Sequence, residues 1–182
     1  MWKKWKEIKD DSERIIKDVE KSRTRTFDRA VNLLTYKPRS IKELRERLLE
    51  KDWTNEAIVA ETIEKLEKYG YLNDAQFAKD FAASKLRQKP IGKRVLKQKL
   101  AQRKLGKETV EEAIEKAFEE TPEAEIIEGA IEKRLRVKGK PKTREDTKKF
   151  YDFLLRQGFS YDLVRERMRE IAKGELEQDG HD

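Results

Sequence analysis

Residues 44–58, LRERLLEKDWTNEAI, carry the apolar spacing that decides the fold of this chain, because the same spacing occurs three times. A shift of 52 residues, and then a further shift of 54, places an apolar residue at every equivalent position. The positions that form this ladder are Leu44, Leu48, Trp53 and Ile58, then Leu96, Leu100, Leu105 and Val110, and finally Phe150, Leu154, Phe159 and Val164. Twelve matches are improbable in a chain that is only 36% hydrophobic. The ladder therefore predicts an array of repeated units, whose function lies on the outer surface rather than in a catalytic pocket.

The composition favours small units in series over one large core. Of the 182 residues, 45% are charged, and the mean hydropathy is -1.01. Each repeat of an array can bury a few side chains against its neighbours, so such a low apolar fraction suffices. The 44 basic residues exceed the 37 acidic ones, giving a formal charge of +7. This balance is compatible with a nucleic acid or with an acidic protein partner.

The sequence also indicates a compartment. The chain contains no cysteine, which excludes disulfides and thiolate metal sites and is typical of a reducing cytosol. No apolar run approaches the roughly 18 residues of a membrane-spanning helix. Residues 1–6 are basic, but no apolar stretch or cleavage site of a signal peptide follows them. We therefore expect a soluble, cytoplasmic protein, and we expect it to be a monomer.

Helical periodicity and strong helix formers run through nearly every segment, and β-branched runs are absent. The sequence therefore predicts an all-α fold, a tandem array of three trihelical repeats with an extra N-terminal helix. The predicted segments are an amphipathic extension over 1–26, repeats over 27–73, 74–120 and 121–173, and a polar tail over 174–182.

Local signals mark the ends of the helices in the first repeat. The Ser40 and Glu43 pair has the spacing of a capping box, in which the serine accepts from the backbone and the glutamate reaches back. Thr54 or Asn55 can cap the third helix, and Gly70 closes it. Three helices thus fit into the first repeat.

One turn position varies between the repeats. The residue before the third rung of the ladder is Asp52, Lys104 or Gly158. Such a position often needs a left-handed backbone, which glycine adopts freely and which costs lysine ~1 kcal/mol. Either the middle turn has a different shape, or it is slightly strained.

Residues 1–26 lie outside the repeats. Trp2, Trp5, Ile8, Ile15 and Val19 predict an amphipathic helix with many charges between the apolar positions. One interpretation is a helix that covers the exposed end of the array. The alternative is a segment for partner binding or self-association.

Three stretches of the sequence resemble the RecX family of regulatory proteins. They are RSIKELRERL over 39–48, LEKYGYLNDAQFA over 66–78 and LRQKPIG over 86–92. The most specific part is GYLND over 70–74, followed by Phe77 and Ala78. The likeness spans about residues 27–172. It departs from the family pattern where Asp52 and Lys104 replace expected turn glycines.

The resemblance implies a bacterial, non-enzymatic modulator of homologous recombination and DNA repair. RecX-like proteins are curved, elongated bodies built of tandem three-helix repeats. They bind RecA, particularly its filament on single-stranded DNA. They typically inhibit ATP hydrolysis, strand exchange and cleavage of the repressor of the SOS response. The family has no known catalytic motif, so no catalytic residue is carried over.

The residues themselves offer little for catalysis. The one histidine is His181, next to the end of the sequence, and the serines have no histidine base. The glycines form no phosphate-binding loop, and no cluster has zinc-ligand spacing. The sequence predicts no catalytic residue, no cofactor and no metal site, and we do not expect an enzyme.

Charge is segregated along the chain. Residues 81–107 contain ten bases and no acid, and residues 108–132 contain ten acids and one base. Seven further bases then precede Glu145. Mixed surface helices rarely separate charge this cleanly, so we predict a basic face for a partner or DNA. Its candidate residues are Lys85, Arg87, Lys89, Lys93, Arg94, Lys97, Arg103, Lys104, Arg134, Arg136, Lys138, Lys140, Lys142 and Arg144.

Several interpretations of this face remain open. It can track phosphates of single- or double-stranded DNA with steep salt dependence, meet acidic patches on a protein filament, or simply be solvated. Exposed aromatic rings would favour base stacking, but we expect Tyr36, Trp53, Tyr69 and Tyr71 to pack in the core or between repeats. A RecX-type modulator of RecA is the favoured function. The alternative is a sequence-tolerant DNA-binding protein of tandem helix-turn-helix-like modules.

Overall fold

The computed structural model describes residue 14 and residues 16–178, with side chains described as far as residue 172. Across these residues the chain forms nine α-helices and no strand, which confirms the predicted all-α repeat fold. The helices are α1 (Val19–Tyr36), α2 (Ile41–Leu49), α3 (Glu56–Lys68), α4 (Asp74–Gln88), α5 (Lys93–Ala101), α6 (Lys107–Glu120), α7 (Glu123–Lys138), α8 (Arg144–Gln157) and α9 (Tyr161–Gln178). Most of the helix predicted from Trp2 to Val19 lies outside the described residues. Residues 16–18 are not helical, and Val19 instead begins α1, which runs through the predicted repeat boundary at residue 26.

The ladder forms the core. Ten of its twelve side chains are buried, while Trp53 and Leu105 are half-buried. The middle helices α2, α5 and α8 each supply two fully or almost fully buried ladder residues, one turn apart. Burying one leucine of this kind stabilises the fold by about 1.5–3 kcal/mol. The apolar spacing thus marks the inner face of each middle helix and of the helix that follows it.

The chain divides into two compact units. Unit 1 contains the described residues as far as Phe77, together with residues 103–105. Unit 2 contains residues 78–102 and those from 106 onward. The core of unit 1 gathers Ala30 from α1, the two ladder leucines of α2, and Leu66 from α3. No helix in the described part of the chain is both long and apolar enough to cross a membrane.

The local signals of the first repeat are confirmed. Ser40 accepts from the N–H of Glu43 at 3.2 Å, and the Glu43 carboxylate accepts from the N–H of Ser40 at 3.2 Å, completing the capping box. Asn55, rather than Thr54, caps α3 by accepting from the N–H of Ile58 at 3.0 Å. Each cap satisfies a backbone N–H that the first turn of a helix would otherwise leave without a partner.

The variable turn position takes different backbones in the three repeats. Gly158 has a φ of +94° and Lys104 a φ of +58°, whereas Asp52 is not left-handed. Lys104 is the one non-glycine residue with positive φ in the described part of the chain. The middle turn is therefore the strained one, and the first turn is the one that has a different shape.

Candidate functional site

A junction in unit 1 holds the start of α2 against residues 103–105. The Ser40 hydroxyl donates to the carbonyl of Arg103 at 2.6 Å. The Arg103 guanidinium, whose side chain is only 15% exposed, donates to the carboxylate of Glu43 at 2.9 Å and to the carbonyl of Pro38 at 3.1 Å. Lys104 forms an ion pair with Glu46. Both basic residues are thus engaged in contacts within unit 1.

The most specific part of the family-like motif completes this junction. Gly70 adopts a φ of +75° after α3, and Asn73 caps α4 by accepting from the N–H of Gln76 at 2.9 Å. The Asp74 carboxylate accepts from the N–H of Ile41, the first residue of α2, at 2.8 Å. Burial raises the pKa of Asp74, although this hydrogen bond opposes the change. The residues of the motif therefore have a structural role: they fix the turn after α3 and hold the starts of α4 and α2.

Unit 2 contains a second junction of the same design. The N–H of Gly92 donates to the carbonyl of Gln157 at 3.0 Å, and the N–H of Arg94 donates to the carbonyl of Gly158 at 3.2 Å. The Arg94 guanidinium donates to the carbonyl of Leu155 at 2.6 Å. The shift of 52 residues between the first two repeats makes Gly92 the counterpart of Ser40. In both repeats the residue before the middle helix contacts a turn that lies far away in the sequence. Arg94 serves this junction.

Carboxylates from the acidic block meet α5. The N–H of Lys93 donates to the Glu123 carboxylate at 2.8 Å, which supplies the cap that α5 lacks in its own sequence. The Lys97 ammonium pairs with Glu111 at 3.2 Å, and the Lys93 ammonium lies 5.4 Å from the Phe118 ring. Opposite charges that are separated in sequence therefore meet in space. Part of the predicted basic face is neutralised in this way.

The candidates on α4 are less engaged. Lys85 donates to the side-chain carbonyl of Gln88 at 3.1 Å and lies 5.2 Å from the Phe81 ring. Arg87 and Lys89 are exposed at the end of the helix. Cations near the C-terminal end of a helix interact favourably with the negative end of the helix dipole. These basic residues can therefore stabilise α4 without binding any partner.

Exposed cations are concentrated in the segment that joins α7 to α8. Gly139, with a φ of +71°, ends α7, and α8 begins at Arg144 under a Thr143 cap. Arg134, on α7, lies 5.0 Å from the Phe153 ring. In the segment that follows, Lys140 already takes part in an interaction with another group. Among described residues, the other four cations of the segment form no ion pair within 4 Å. This basic segment comprises the exposed residues Arg136, Lys138, Lys140, Lys142 and Arg144.

The prediction that the tyrosines pack inside is wrong. Tyr36, Tyr69 and Tyr71 are 86%, 62% and 69% exposed. Trp53 is half-buried under the Arg25 guanidinium, which lies 4.2 Å from the indole ring. The exposure of Tyr69 and Tyr71 follows from the left-handed Gly70 between them, because the chain reverses there and buries Leu72 instead.

Three family models match the chain in the order of its helices. They describe the first, second and third three-helix domains of RecX, and they cover residues 27–71, 73–114 and 121–168. The regulatory protein RecX of Thermotoga sp. (strain RQ2) is 39% identical over 146 residues, which are 80% of this chain and 84% of the relative. That of Bacillus subtilis (strain 168) is 32% identical over 145 residues, or 80% of this chain and 54% of the relative. The chain thus spans a little over half the length of the Bacillus relatives.

Solved structures show the same fold. The crystal structure of RecX from Lactobacillus salivarius matches with a TM-score of 0.74 at 24% identity, over 84% of this chain and 98% of that one. A second crystal structure of a regulatory protein RecX matches with a TM-score of 0.70 at 22% identity, over 84% and 73%. At these identities the likeness concerns the fold alone.

Fold and surface together define an all-α repeat protein with three tandem three-helix domains and an exposed basic segment. Within the described residues, no group of three histidine, aspartate or glutamate side chains is placed to hold a metal ion. The three family models and the Thermotoga relative then identify the family. The chain belongs to the RecX family of regulatory proteins.

Proposed function

We propose that this protein binds RecA and its filament on single-stranded DNA in the cytoplasm. There it modulates, and mostly inhibits, ATP hydrolysis, strand exchange and the coprotease activity that triggers the SOS response. The observation that carries the proposal is the presence of all three RecX domains, in order, over residues 27–168. Through this role the protein regulates homologous recombination and DNA repair.

The basic segment is the part of the surface best suited to a polyanionic or acidic partner. Its cations project from a helix end and a loop, and four of them have no carboxylate partner among the described residues. A cation without an internal partner loses no ion pair when it binds a phosphate or a carboxylate of another molecule. Such contacts raise the rate of encounter and set the register of a complex.

Single-strand-dependent ATP hydrolysis by the cognate RecA tests the proposal. RecA is assembled on single-stranded DNA, and the purified chain is added at substoichiometric ratios. We expect the rate of hydrolysis and the filament length to change at ratios well below one chain per RecA subunit. If neither changes at any ratio, the proposed function is wrong.

A second candidate is a sequence-tolerant DNA-binding protein, and the basic segment favours it as well. Fluorescence anisotropy with labelled DNA, measured across a range of salt concentrations and without RecA, separates the two candidates. Tight binding with a slope of several released counterions supports the DNA-binding protein. Weak binding to free DNA, combined with tight binding to the filament, supports the modulator.

A further inference from the structure

A groove in unit 1 is used neither by the junction of that unit nor by the basic segment. It runs between α1 and α3 and encloses about 820 Å³. The apolar and aromatic residues that line this α1–α3 groove include Phe27, Val31, Leu34, Leu66, Tyr69 and Tyr71. Among the residues that the structure describes, no charged side chain lines this part of the groove. An exposed apolar surface of this kind, with a mixed polar border, is typical of a protein-binding site.

The backbone holds both tyrosines of the groove in place. The N–H of Tyr71 donates to the carbonyl of Leu66 at 2.8 Å, and the N–H of Gly70 donates to the carbonyl of Glu67 at 2.9 Å. These two bonds form a Schellman motif, which fixes how the chain leaves α3. Leu72 is buried directly after them, so the backbone of the turn is anchored on both sides while Tyr69 and Tyr71 remain on the surface. The tyrosines are therefore presented before any partner arrives, which lowers the entropy cost of binding.

The groove continues past Phe27 and Tyr69 into a charged end of about 320 Å³. Three carboxylates and two cations line this end, so its formal charge is negative although the whole chain carries +7. Arg23 holds Glu61 through two hydrogen bonds of 2.9 and 3.0 Å, and it also pairs with Glu20 at 2.5 Å. Within the described part of the chain, the exposed carboxylate of Asp28 forms no ion pair. This end repels phosphates and attracts a cation.

We propose that the α1–α3 groove binds an amphipathic segment of a protein partner. Apolar side chains of the segment lie between Val31 and Tyr71, and a basic side chain at one end pairs with Asp28. Helix-in-groove recognition has this form, with apolar anchors one turn apart. The inference rests on the proposed function, under which the segment belongs to a RecA subunit of the filament. The first repeat then contacts protein, and the basic segment is left for phosphates or acidic patches.

The test uses the full chain with Tyr69 and Tyr71 both changed to serine. Each ring is largely exposed, so we expect the circular dichroism and the melting temperature to stay close to those of the wild type. Tyrosine is among the residues that most often dominate binding at interfaces. We expect the affinity for the RecA filament to fall by roughly ten-fold or more, with unchanged affinity for free single-stranded DNA. The control is Tyr36→Ser, which removes a still more exposed ring that does not line the groove, and we expect it to leave both affinities unchanged.

Two results of this experiment would overturn the inference. Unchanged filament affinity in the double variant would show that the groove is not used. An equal loss of affinity for free DNA would make the tyrosines a stacking platform for bases. The wild-type chain is measured first, so failure of the proposed function is recognised separately, as an absence of any effect on the filament.

A crosslinking variant covers the case in which the double variant does not fold. Replacing Tyr71 with the photoreactive p-benzoylphenylalanine keeps an aromatic ring at the site. Irradiation in the presence of the filament is expected to link the chain to RecA. Links to DNA, links to a second copy of this chain, or no links despite wild-type binding would each contradict the proposal.

Discussion

Gly92 and Gly158 lie in backbone contact within unit 2. A Cβ atom on Gly92 would come 2.3 Å from the carbonyl carbon and oxygen of Gly158, and one on Gly158 would come 2.5 Å from the nitrogen of Val95. Neither position has room for a side chain, because the nearest obstructing atom belongs to the backbone in both cases. The contact makes this junction depend on two glycines that lie far apart in the sequence.

Replacing Gly92 with alanine is expected to lower the free energy of unfolding by about 1–3 kcal/mol, since overpacking forces the backbones apart. The φ of Gly92 is -81°, so the effect is steric and not conformational. Urea unfolding followed by circular dichroism measures it. The matched control is Gly129→Ala in α7, where the nearest atom would be 3.9 Å away. There alanine should raise stability by about 0.5–1 kcal/mol, and an equal loss in both variants would contradict the steric account.

Replacing Lys104 with glycine should stabilise the protein. The change removes a left-handed strain of roughly 1 kcal/mol, partly offset by the greater freedom of glycine in the unfolded chain, so we expect a net gain of about 0.5 kcal/mol. Lys104→Ala is the control, because it removes the exposed ion pair with Glu46 and keeps the strain. Thermal and urea unfolding compare the two variants. Alanine matching or exceeding glycine would show that the backbone is not strained.

The stability difference between the wild type and Asp74→Asn is expected to depend on pH. The folded pKa of Asp74 lies above its ordinary value of 3.8. The stabilising contribution of this group is therefore fully present below about pH 3.8 and is lost as the pH rises through the folded pKa. Asparagine does not titrate and can still accept from the N–H of Ile41. Relative to the wild type, the melting temperature of the variant should thus rise between pH 3.5 and 7, and a constant or falling difference would refute this.

Changing Lys138 and Lys142 to glutamine should weaken the binding of single-stranded DNA and reduce its salt dependence. Each lost phosphate contact lowers the slope of log K against log salt by about 0.7. We expect a decrease of about 1.4 for the pair, measured by fluorescence anisotropy. Glutamine at the exposed Lys42 and Lys68 makes the same charge change in unit 1 and serves as the control. Equal effects of the two pairs would mean that net charge, and not this segment, governs binding.

The helices and their ends could be predicted because their causes are local. The Ser40 capping box joins residues three positions apart, and the ladder repeats within single helices. Residue type alone could not tell whether the tyrosines are buried or exposed, since an aromatic ring suits a core as well as an interface. A signal was nevertheless present. Tyr-Gly-Tyr over 69–71, closing an amphipathic helix, has the pattern of a Schellman turn, in which only Leu72 continues into the core.

The basic face could be predicted only in part, because its contacts join residues that are far apart in the sequence. Charge segregation along the chain placed the basic segment in the predicted basic face, together with Lys97 and Arg94. The structure pairs Lys97 with Glu111 and directs Arg94 to the carbonyl of Leu155. A simultaneous charge reversal at Lys93, Arg94 and Lys97 would therefore disturb a junction as well as a surface. Sequence distance gives no measure of which opposite charges meet.

The sequence by itself determined the repeat, the helical class, the caps and the family, because spacing and short-range hydrogen bonding act between near neighbours in the chain. Only the tertiary structure decided that Gly92 must touch Gly158, which cations form ion pairs with described carboxylates, and that α1 and α3 leave an apolar groove. Each of these depends on atoms that come together only when separate helices pack.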